Sequence, residues 1–447
     1  MATESVHLQG DYFQLRARDT TVAREIVAGI STYLSLAYIF IVNPSILSSA
    51  HMNGSAVLFA TAIASGLATI AMGVWAKLPF AVAPGLEMSG FFTFVVVGTL
   101  GLSWEDALGT VFWSGVLCVV LTVLPFRQRI IDSIPAGLKI NIGVSVGIFV
   151  ATIGLYLAKI LAFRDGLPDF GSIHLEALAS SGALIMYVTF VVAFALGLKS
   201  LRFRGGMLVA IIAGALLCRL FGIAADQPTR FSADMFRAVG QAHIFSVVAN
   251  PHFAMVTVVF FIVDFYGGIG KFIGLTAATN IQSNGRVPNI GRALYVDGVG
   301  TIGGSLLGTS SLITFVESAV GIAAGGRTGI TAIVCGVLML ASLLFTPLVG
   351  LVPVAATSGV LLYVGWLLLP IKQFRDSPGL FGRFDLMIAV VMGIVTLVTF
   401  ALDKSLLVGF VAYTAREMFT YKRFDPFLSA TTLILALSVI VQYGKLL

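Results

Sequence analysis

The stretch Gly308–Gly326 reads G-T-S-S-L-I-T-F-V-E-S-A-V-G-I-A-A-G-G and is apolar enough to lie in a membrane, yet it contains a carboxylic acid, Glu317. Residues 309–313 suit a short extended segment, and Thr314 with Glu317 then matches the Thr-x-x-Glu pattern of a helix capping box. A helix that begins here would begin in mid-membrane, with its free backbone N–H groups facing whatever precedes it. Such broken helices are tolerated in lipid only where they line a cavity within the protein, and in transporters that cavity usually holds the substrate.

The composition indicates a membrane protein. Of the 447 residues, 58% are hydrophobic and only 11% are charged, whereas about a quarter are charged in a soluble domain. Apolar runs of roughly 17–25 residues recur along the chain, which predicts an all-α polytopic protein in a lipid bilayer. These runs are 23–45, 55–76, 80–99, 107–125, 139–161, 183–199, 205–224, 253–275, 291–307, 309–324, 327–347, 351–370, 384–402, 404–420 and 427–443. The last run either spans the membrane or lies in its interface.

The distribution of charge predicts a cytoplasmic N-terminus in a bacterial inner membrane. Lys and Arg fall in the loops on the same side as the N-terminus, whereas Glu105, Asp106 and the polar loop 225–250 fall on the other side. This asymmetry follows the positive-inside rule. The net charge of +6 therefore reflects orientation and gives no reason to expect a nucleic-acid partner.

Two interrupted apolar segments, one in each half of the chain, each carry one acid. In the first, Pro84-Gly85 precedes Glu87; the second is the opening stretch with Glu317. The sequence I-D-S-I-P-A at 131–136 also resembles V-G-L-V-P-V at 349–354. Paired broken segments in two halves are a pointer to a transport site, and about seven spans per half would make the halves inverted.

Acids deep in apolar spans cost about 2.5–3.5 kcal/mol or more each and are functional candidates for that reason. Three qualify: Glu87, Asp264 and Glu317. The alternative for each is a structural role, as a helix cap or as half of a buried ion pair. Lys271, two helical turns after Asp264, is interpreted as a residue that extends to the cytoplasmic interface, with a ligand of the site as the alternative. Asp297 is interpreted as a residue that packs helices or bonds the backbone.

Four segments carry motifs that point to one family. Residues 32–44 read T-Y-L-S-L-A-Y-I-F-I-V-N-P, residues 79–94 contain the Pro-Gly break, and residues 260–274 contain Asp264. The most specific segment, 292–329, contains G-T-S, F-V-E-S-A and G-G-R-T-G. These segments resemble spans 1, 3, 8 and 9 to 11 of the AzgA-like purine permeases in the nucleobase–cation symporter family 2, part of the nucleobase–ascorbate transporter superfamily.

The resemblance implies about 14 spans in two inverted seven-span repeats, with short strands in the broken spans 3 and 10. It also implies a core domain from 23–125 (spans 1–4) and 251–348 (spans 8–11), after a cytoplasmic segment 1–22. A gate domain from 126–250 (spans 5–7) and 349–447 (spans 12–14 and the C-terminal segment) would form the contact of a homodimer. Transport would be proton-coupled and would proceed by an elevator-like movement of the core against the gate.

In that family, acids of spans 8 and 10 hold the base through its ring N–H groups, and those positions match Asp264 and Glu317. We expect the following residues to bind substrate, with the three acids also carrying protons: Glu317, Asp264, Glu87, Ser89, Phe315, Thr314 and Tyr266. No cofactor or metal is expected, and sodium stays open as an alternative coupling ion.

The chain also differs from typical members near the expected site. In span 3 they read A-P-G-M-G-L-N-A, whereas residues 83–90 read A-P-G-L-E-M-S-G; in span 8 they read D-x-F-D-T-x-G-T, whereas residues 264–271 read D-F-Y-G-G-I-G-K. We expect Glu87 to face Thr314 and Glu317, so that one of the two acids holds a proton near neutral pH. The alternative is that Glu87 points at the membrane interface or caps its own helix.

The function that the sequence predicts is secondary-active, proton-coupled import of a nucleobase, either a purine such as hypoxanthine, guanine, adenine or xanthine, or a uracil-like base. One ionised carboxylate can accept hydrogen bonds from two ring N–H donors. The alternative within transport is a carrier or channel for another small substrate or anion on the same fold, and a non-transporting receptor is a third reading. With no phosphate-binding loop, metal-ligand cluster or nucleophile–base pair in the sequence, an ATP-driven pump or an enzyme is not expected.

Overall fold

A computed structural model of the protein describes residues 12–124, 133, 135–164, 167–197, 205–223, 232–249, 251–277, 289–349, 351–369 and 382–443. These residues are mainly helical, as the composition predicts. The α-helices are α1 (Val22–Leu36), α2 (Ile39–Ser48), α3 (Gly54–Ala71), α4 (Leu86–Gly90), α5 (Trp104–Val123), α6 (Ala136–Leu157), α7 (Leu175–Leu178), α8 (Ser181–Gly197), α9 (Gly206–Leu220), α10 (Ile244–Ala249), α11 (Pro251–Ala277), α12 (Ile290–Leu307), α13 (Ser318–Ala323), α14 (Gly329–Ala341), α15 (Thr346–Val349), α16 (Ser358–Leu368), α17 (Arg383–Thr399), α18 (Leu402–Phe419) and α19 (Pro426–Tyr443). The strands are β1 (Val82–Pro84), β2 (Ala162–Arg164), β3 (Leu167–Asp169) and β4 (Leu312–Thr314).

Shorter helical segments connect these elements. Two are π-helical, Met72–Ala76 after α3 and Phe91–Thr99 after α4. The 3₁₀ segments are Phe170–Ser172, Ala233–Phe236, Ser342–Phe345 and Val354–Thr357. In the repeat suggested by the sequence, residues 131, 132, 134 and 350 lie outside the described part of the chain.

The described helices fit an integral membrane protein. Five helical stretches are long and apolar enough to cross a membrane, namely Val22–Ser48, Gly54–Ala76, Trp104–Val123, Gly137–Leu157 and Gly329–Leu348, and shorter apolar helices of 10–17 residues accompany them. Large apolar side chains such as Val123, Leu216 and Leu220 are exposed on helix surfaces. Exposed apolar area of this kind marks a surface that contacts lipid or another protein.

Two broken spans meet in a buried two-stranded antiparallel sheet. Strand β1 pairs with β4 so that Val82 faces Thr314 and Pro84 faces Leu312, and all six strand residues are buried. The short helix α4 follows β1 after one residue, Gly85, and α13 follows β4 after three residues. The prediction of short strands in these two spans is confirmed.

Each strand also has an outer edge, whose backbone groups need partners away from water. Thr69 of α3 serves β1: its hydroxyl accepts from the N–H of Val82 (2.9 Å) and donates to the Val82 carbonyl (3.0 Å). Thr301 of α12 serves β4 in the same way, accepting from the N–H of Leu312 (3.1 Å) and donating to its carbonyl (3.0 Å). One threonine from each half of the chain thus satisfies the N–H and carbonyl of one residue in the strand of its own half.

The helices around the sheet cross closely at glycines. A Cβ atom built on Gly329 of α14 would clash with the carbonyl oxygen of Gly73, which follows α3. On the opposite pair, a Cβ on Gly115 of α5 would lie 2.9 Å from the carbonyl oxygen of Gly298 in α12. Small residues are typical of such backbone-to-backbone contacts in membranes. Each of the contacts α3–α14 and α5–α12 therefore joins a helix from the first half of the chain to a helix from the second half.

The predicted capping box at Thr314 and Glu317 is wrong. Helix α13 begins at Ser318 with Glu317 in the N-cap position, and Glu317 makes no side-chain cap bond. Thr314 belongs instead to β4, and the next residue continues the pairing, because the N–H of Phe315 donates to the Ala81 carbonyl at 2.9 Å. The strand therefore occupies the residues that the local pattern assigned to a helix start.

Candidate functional site

The three predicted acids lie around the β1–β4 sheet. Glu87 belongs to α4, Glu317 precedes α13, and Asp264 lies on the long helix α11. Glu87 and Glu317 are 7% and 6% exposed. Because buried charges must be paired or neutralised, the partners of each carboxylate decide what this region can bind.

Glu317 has one satisfied and one unsatisfied oxygen. The hydroxyl of Tyr38, in the break between α1 and α2, donates to Oε1 of Glu317 at 2.6 Å. Oε2 of Glu317 is buried and has no hydrogen-bond partner among the described residues. A buried acceptor without a donor costs about 1–3 kcal/mol, or more when charged, so this oxygen is suited to a donor that arrives from outside the chain.

Asp264 also has one carboxylate oxygen with a hydrogen-bond partner and one without. Its Oδ2 accepts a hydrogen bond from the hydroxyl of Ser311, the residue directly before β4. The Ser311 hydroxyl also lies 3.1 Å from that of Thr301. Oδ1 of Asp264 is buried without a partner among the described residues. Asp264 and Glu317 therefore both present a free carboxylate oxygen beside the sheet.

Glu87 is different, because it is already paired. Its Oε1 lies 2.8 Å from Nζ of Lys271, and the two side chains are 9% and 14% exposed. The interpretation of Lys271 as a residue that extends to the cytoplasmic interface is wrong, since its ammonium group turns inward to a buried acid. The alternative that Glu87 points at the membrane interface is wrong, since the side chain is buried. The described hydrogen bond of its carboxylate is with Lys271, whereas Thr314 bonds Asp297 and Glu317 bonds Tyr38.

Asp297 and Thr314 form the fourth polar contact. The Thr314 hydroxyl donates to the Asp297 carboxylate, with oxygen–oxygen distances of 3.2 and 3.3 Å. Asp297 thus links α12 to β4 through a side chain. Its Oδ2 would lie 3.8 Å from a Cβ on Gly268 of α11, between Asp264 and Lys271 in sequence, so it faces the same helix as they do.

Ser89 lies in a buried network behind the acids. Its hydroxyl lies 2.5 Å from Oδ1 of Asn43 and 2.6 Å from the hydroxyl of Ser310. Nδ2 of Asn43 in turn donates to the hydroxyls of Thr61 (2.8 Å) and Thr309 (3.0 Å). This network ties the broken first span to both broken segments.

Of the two aromatic candidates, Phe315 and Tyr266, the structure describes the side chain of Phe315 only. Phe315 is 5% exposed and follows β4 directly, so its ring lies within the core, two residues before Glu317 in sequence. The side chain of Tyr266 lies outside the described part of the chain.

Sequence reasoning missed Tyr38, Asn43 and Ser311 as site residues. Tyr38 and Asn43 lie within the segment that carries the family resemblance. The only sequence evidence for a role in the site is that a phenol and an amide stand in an apolar run. For Ser311 the signal was its place in the hydroxyl run 309–311 before β4. Their partners are 279, 46 and 47 residues away, so no local pattern could identify them.

The arrangement suits a ligand that donates hydrogen bonds. Two free carboxylate oxygens and a compensated Lys–Glu pair lie where two broken spans meet. The polytopic helical fold with paired broken spans around buried acids is that of a membrane transporter, not an enzyme.

The permease family named Xan_ur_permease matches residues 23–401. The chain belongs to this family. It is similar to adenine permease AdeQ of Escherichia coli (strain K12), with 34% identity over 91% of this chain and 90% of that protein. It is also similar to guanine/hypoxanthine permease PbuO of Bacillus subtilis (strain 168), with 31% identity over 90% of this chain and 93% of that protein.

The fold is similar to that of a solved transporter. The transmembrane domain of the cyanobacterium bicarbonate transporter BicA superposes with a TM-score of 0.64 at 15% identity, covering 92% of this chain and 98% of that structure. At this identity the likeness establishes the fold.

Proposed function

We propose that the protein is a secondary-active importer that carries a nucleobase together with protons across a bacterial inner membrane. The observation that carries this proposal is the pair of free, buried carboxylate oxygens, Oδ1 of Asp264 and Oε2 of Glu317, beside the β1–β4 sheet. A planar heterocycle offers ring N–H donors that would satisfy both oxygens. Protonation of one acid before or after substrate release would supply the coupling.

The relatives support a nucleobase as the substrate. AdeQ is named an adenine permease and PbuO a guanine/hypoxanthine permease, and each aligns with about nine-tenths of this chain. Purine bases share a planar ring with N–H donors, which is the feature the two acids require. Uracil-like bases share it too, so the proposal covers both until a ligand screen separates them.

We propose that the chain forms about 14 spans in two inverted seven-span repeats. Two observations support this division. Thr69 and Thr301 make the same hydrogen bonds to the strand of their own half, and the contacts α3–α14 and α5–α12 each join one helix from either half. In this arrangement a core domain (23–125 and 251–348) carries the site past a gate domain (126–250 and 349–447). The gate domains of two copies would form a homodimer.

A carrier of anions is the second candidate, since Lys271 places a positive charge in the region. Its charge is taken up by Glu87 at 2.8 Å, however, and the free oxygens of Asp264 and Glu317 would repel an anion. The balance of charge therefore favours a neutral substrate that donates hydrogen bonds.

A ligand screen followed by transport tests the proposal. Purified protein is tested for thermal stabilisation by adenine, guanine, hypoxanthine, xanthine and uracil. Bicarbonate is included as a test of the anion-carrier alternative. The stabilising base is then followed as a radiolabel into proteoliposomes with and without an inward proton gradient. Stabilisation by a base and accumulation driven by the gradient are expected. Stabilisation by bicarbonate alone, or uptake that ignores the proton gradient, would contradict the proposal.

A further inference from the structure

The ion pair between Lys271 and Glu87 joins two elements that the proposed transport cycle depends on. Lys271 lies near the end of α11, and Glu87 lies on α4, which begins one residue after β1. Nζ and Oε1 are 2.8 Å apart and both side chains are largely buried. An exposed pair would contribute little, but a buried pair is costly to break because removing one partner leaves an uncompensated charge.

Lys271 interacts with four acids that the structure describes. Glu87 contacts it from α4, Asp264 lies two turns earlier on its own helix, and Asp297 of α12 faces the same helix at Gly268. Glu317 comes from the segment before α13, and the ammonium group interacts electrostatically with Asp264, Asp297 and Glu317. The ammonium group is thus the one cation described among four buried carboxyl groups.

A set of buried carboxylates needs positive charge, and in ion-coupled carriers that charge is normally a bound sodium ion or a proton. Oxygen atoms of carboxylates are the ligands that hard cations prefer. At Glu87, the place that a bound cation would take is occupied by the Lys271 ammonium group, which is covalently part of the chain. The free oxygens of Asp264 and Glu317 remain for the substrate and its protons.

We infer that Lys271 is a tethered substitute for a coupling cation at Glu87. This deepens the proposed function, because it assigns which acid of the site does not exchange its cation. The Lys271 ammonium keeps Glu87 compensated throughout, so the intact protein needs no external cation at this position. A protein without the ammonium group exposes a carboxylate that an external sodium ion or proton must compensate.

The experiment measures thermal stability, which requires neither substrate nor transport and therefore fails or succeeds independently of the nucleobase proposal. Purified wild-type protein, Lys271→Met and Lys271→Met/Glu87→Gln are melted in sodium chloride or choline chloride at equal ionic strength, each at neutral and acidic pH. Methionine keeps the length of the lysine chain and removes its charge. Lys422→Met, at an exposed lysine after α18, is the matched control.

The wild-type and the Lys422→Met melting temperatures are expected to be the same in sodium and in choline. Lys271→Met is expected to melt lower in choline at neutral pH, and to recover by roughly 2–4 °C in sodium or at acidic pH. Recovery in sodium assigns the position to a sodium ion, and recovery only at acidic pH assigns it to a proton. In the double variant this recovery is expected to be absent.

Three results would overturn the inference. The first is a sodium-dependent stabilisation of the wild-type protein that Glu87→Gln abolishes, because the position would then be open to external ions. The second is a Lys271→Met protein whose stability responds to neither cation, or whose response survives in the double variant. The third is failure of Lys271→Met to fold in every buffer, because the inference requires that an external cation replace the ammonium group.

Discussion

The hydroxyl of Tyr38 donates a 2.6 Å hydrogen bond to Oε1 of Glu317, 279 residues further along the chain. Tyr38 lies where the first span breaks between α1 and α2, and Glu317 lies where the tenth proposed span breaks between β4 and α13. Both residues are buried. Two interrupted segments from opposite halves of the chain therefore fix one carboxylate, with its second oxygen left for another donor.

Glu317→Gln is expected to abolish uptake of the transported base while leaving the protein folded. The substitution keeps the shape of the side chain but replaces a carboxylate oxygen by an N–H₂ donor and prevents proton loading. Loss of a hydrogen bond to a charged group costs about 1.5–3 kcal/mol, so binding should weaken at least tenfold. Uptake into proteoliposomes and the melting temperature are measured together.

The control for this substitution is Glu176→Gln, at an exposed glutamate of α7. It should leave both uptake and melting temperature at the wild-type level. Transport by Glu317→Gln at the wild-type rate with an unchanged pH profile would remove Glu317 from the site.

Asp264→Asn is expected to weaken ligand binding by about tenfold or more, with a small change in melting temperature. The hydroxyl of Ser311 can still donate to the amide oxygen of the introduced side chain, so the packing against β4 is retained while the charge is lost. Isothermal titration with the base found in the ligand screen gives the affinity. Asp19→Asn, at an exposed aspartate, is the matched control; a variant that melts early but binds normally would make Asp264 a structural residue.

The breaks in the spans could be predicted because their signals are local. Pro84-Gly85 and the hydroxyl run after Gly308 interrupt apolar runs, and the structure places β1 and β4 there. Glu87, Asp264 and Glu317 could also be predicted as candidate site residues, because each lies well inside an apolar run. Composition and run length alone predicted a polytopic membrane protein.

The partners of those acids could not be predicted, because long-range pairing decides them. Thr314 and Glu317 match a capping box, yet β4 pairs with β1 and draws Thr314 into the sheet. Lys271 resembles a residue at the end of a span, yet its partner Glu87 is 184 residues earlier. Nothing near either residue in sequence specifies these contacts.

Ser89→Ala is expected to lower stability by about 1–3 kcal/mol, because Oδ1 of Asn43 loses its donor in a buried site. Ser114→Ala is the matched control, since the buried Ser114 hydroxyl donates to the carbonyl of Val111 in its own helix. Thermal melting and ligand titration are compared for both variants. A loss of affinity without a loss of stability in Ser89→Ala would instead place Ser89 in contact with the substrate, as the sequence predicts.

The crossing of α14 with the π-helical segment that continues α3 depends on glycine, and Gly73→Ala tests it. A Cβ at residue 73 would clash with the carbonyl oxygen of Gly329 and would lie 2.8 Å from Cγ1 of Ile333. Because backbone cannot move aside as a flexible side chain can, the crossing must widen, at a cost of about 1–3 kcal/mol or more. Gly303→Ala in α12 is the control, since its Cβ would have no described heavy atom within 4 Å; there alanine should stabilise the helix by up to about 1 kcal/mol. Thermal melting should therefore shift downward for Gly73→Ala and not for Gly303→Ala, and equal shifts for the two variants would show that the close crossing does not limit stability.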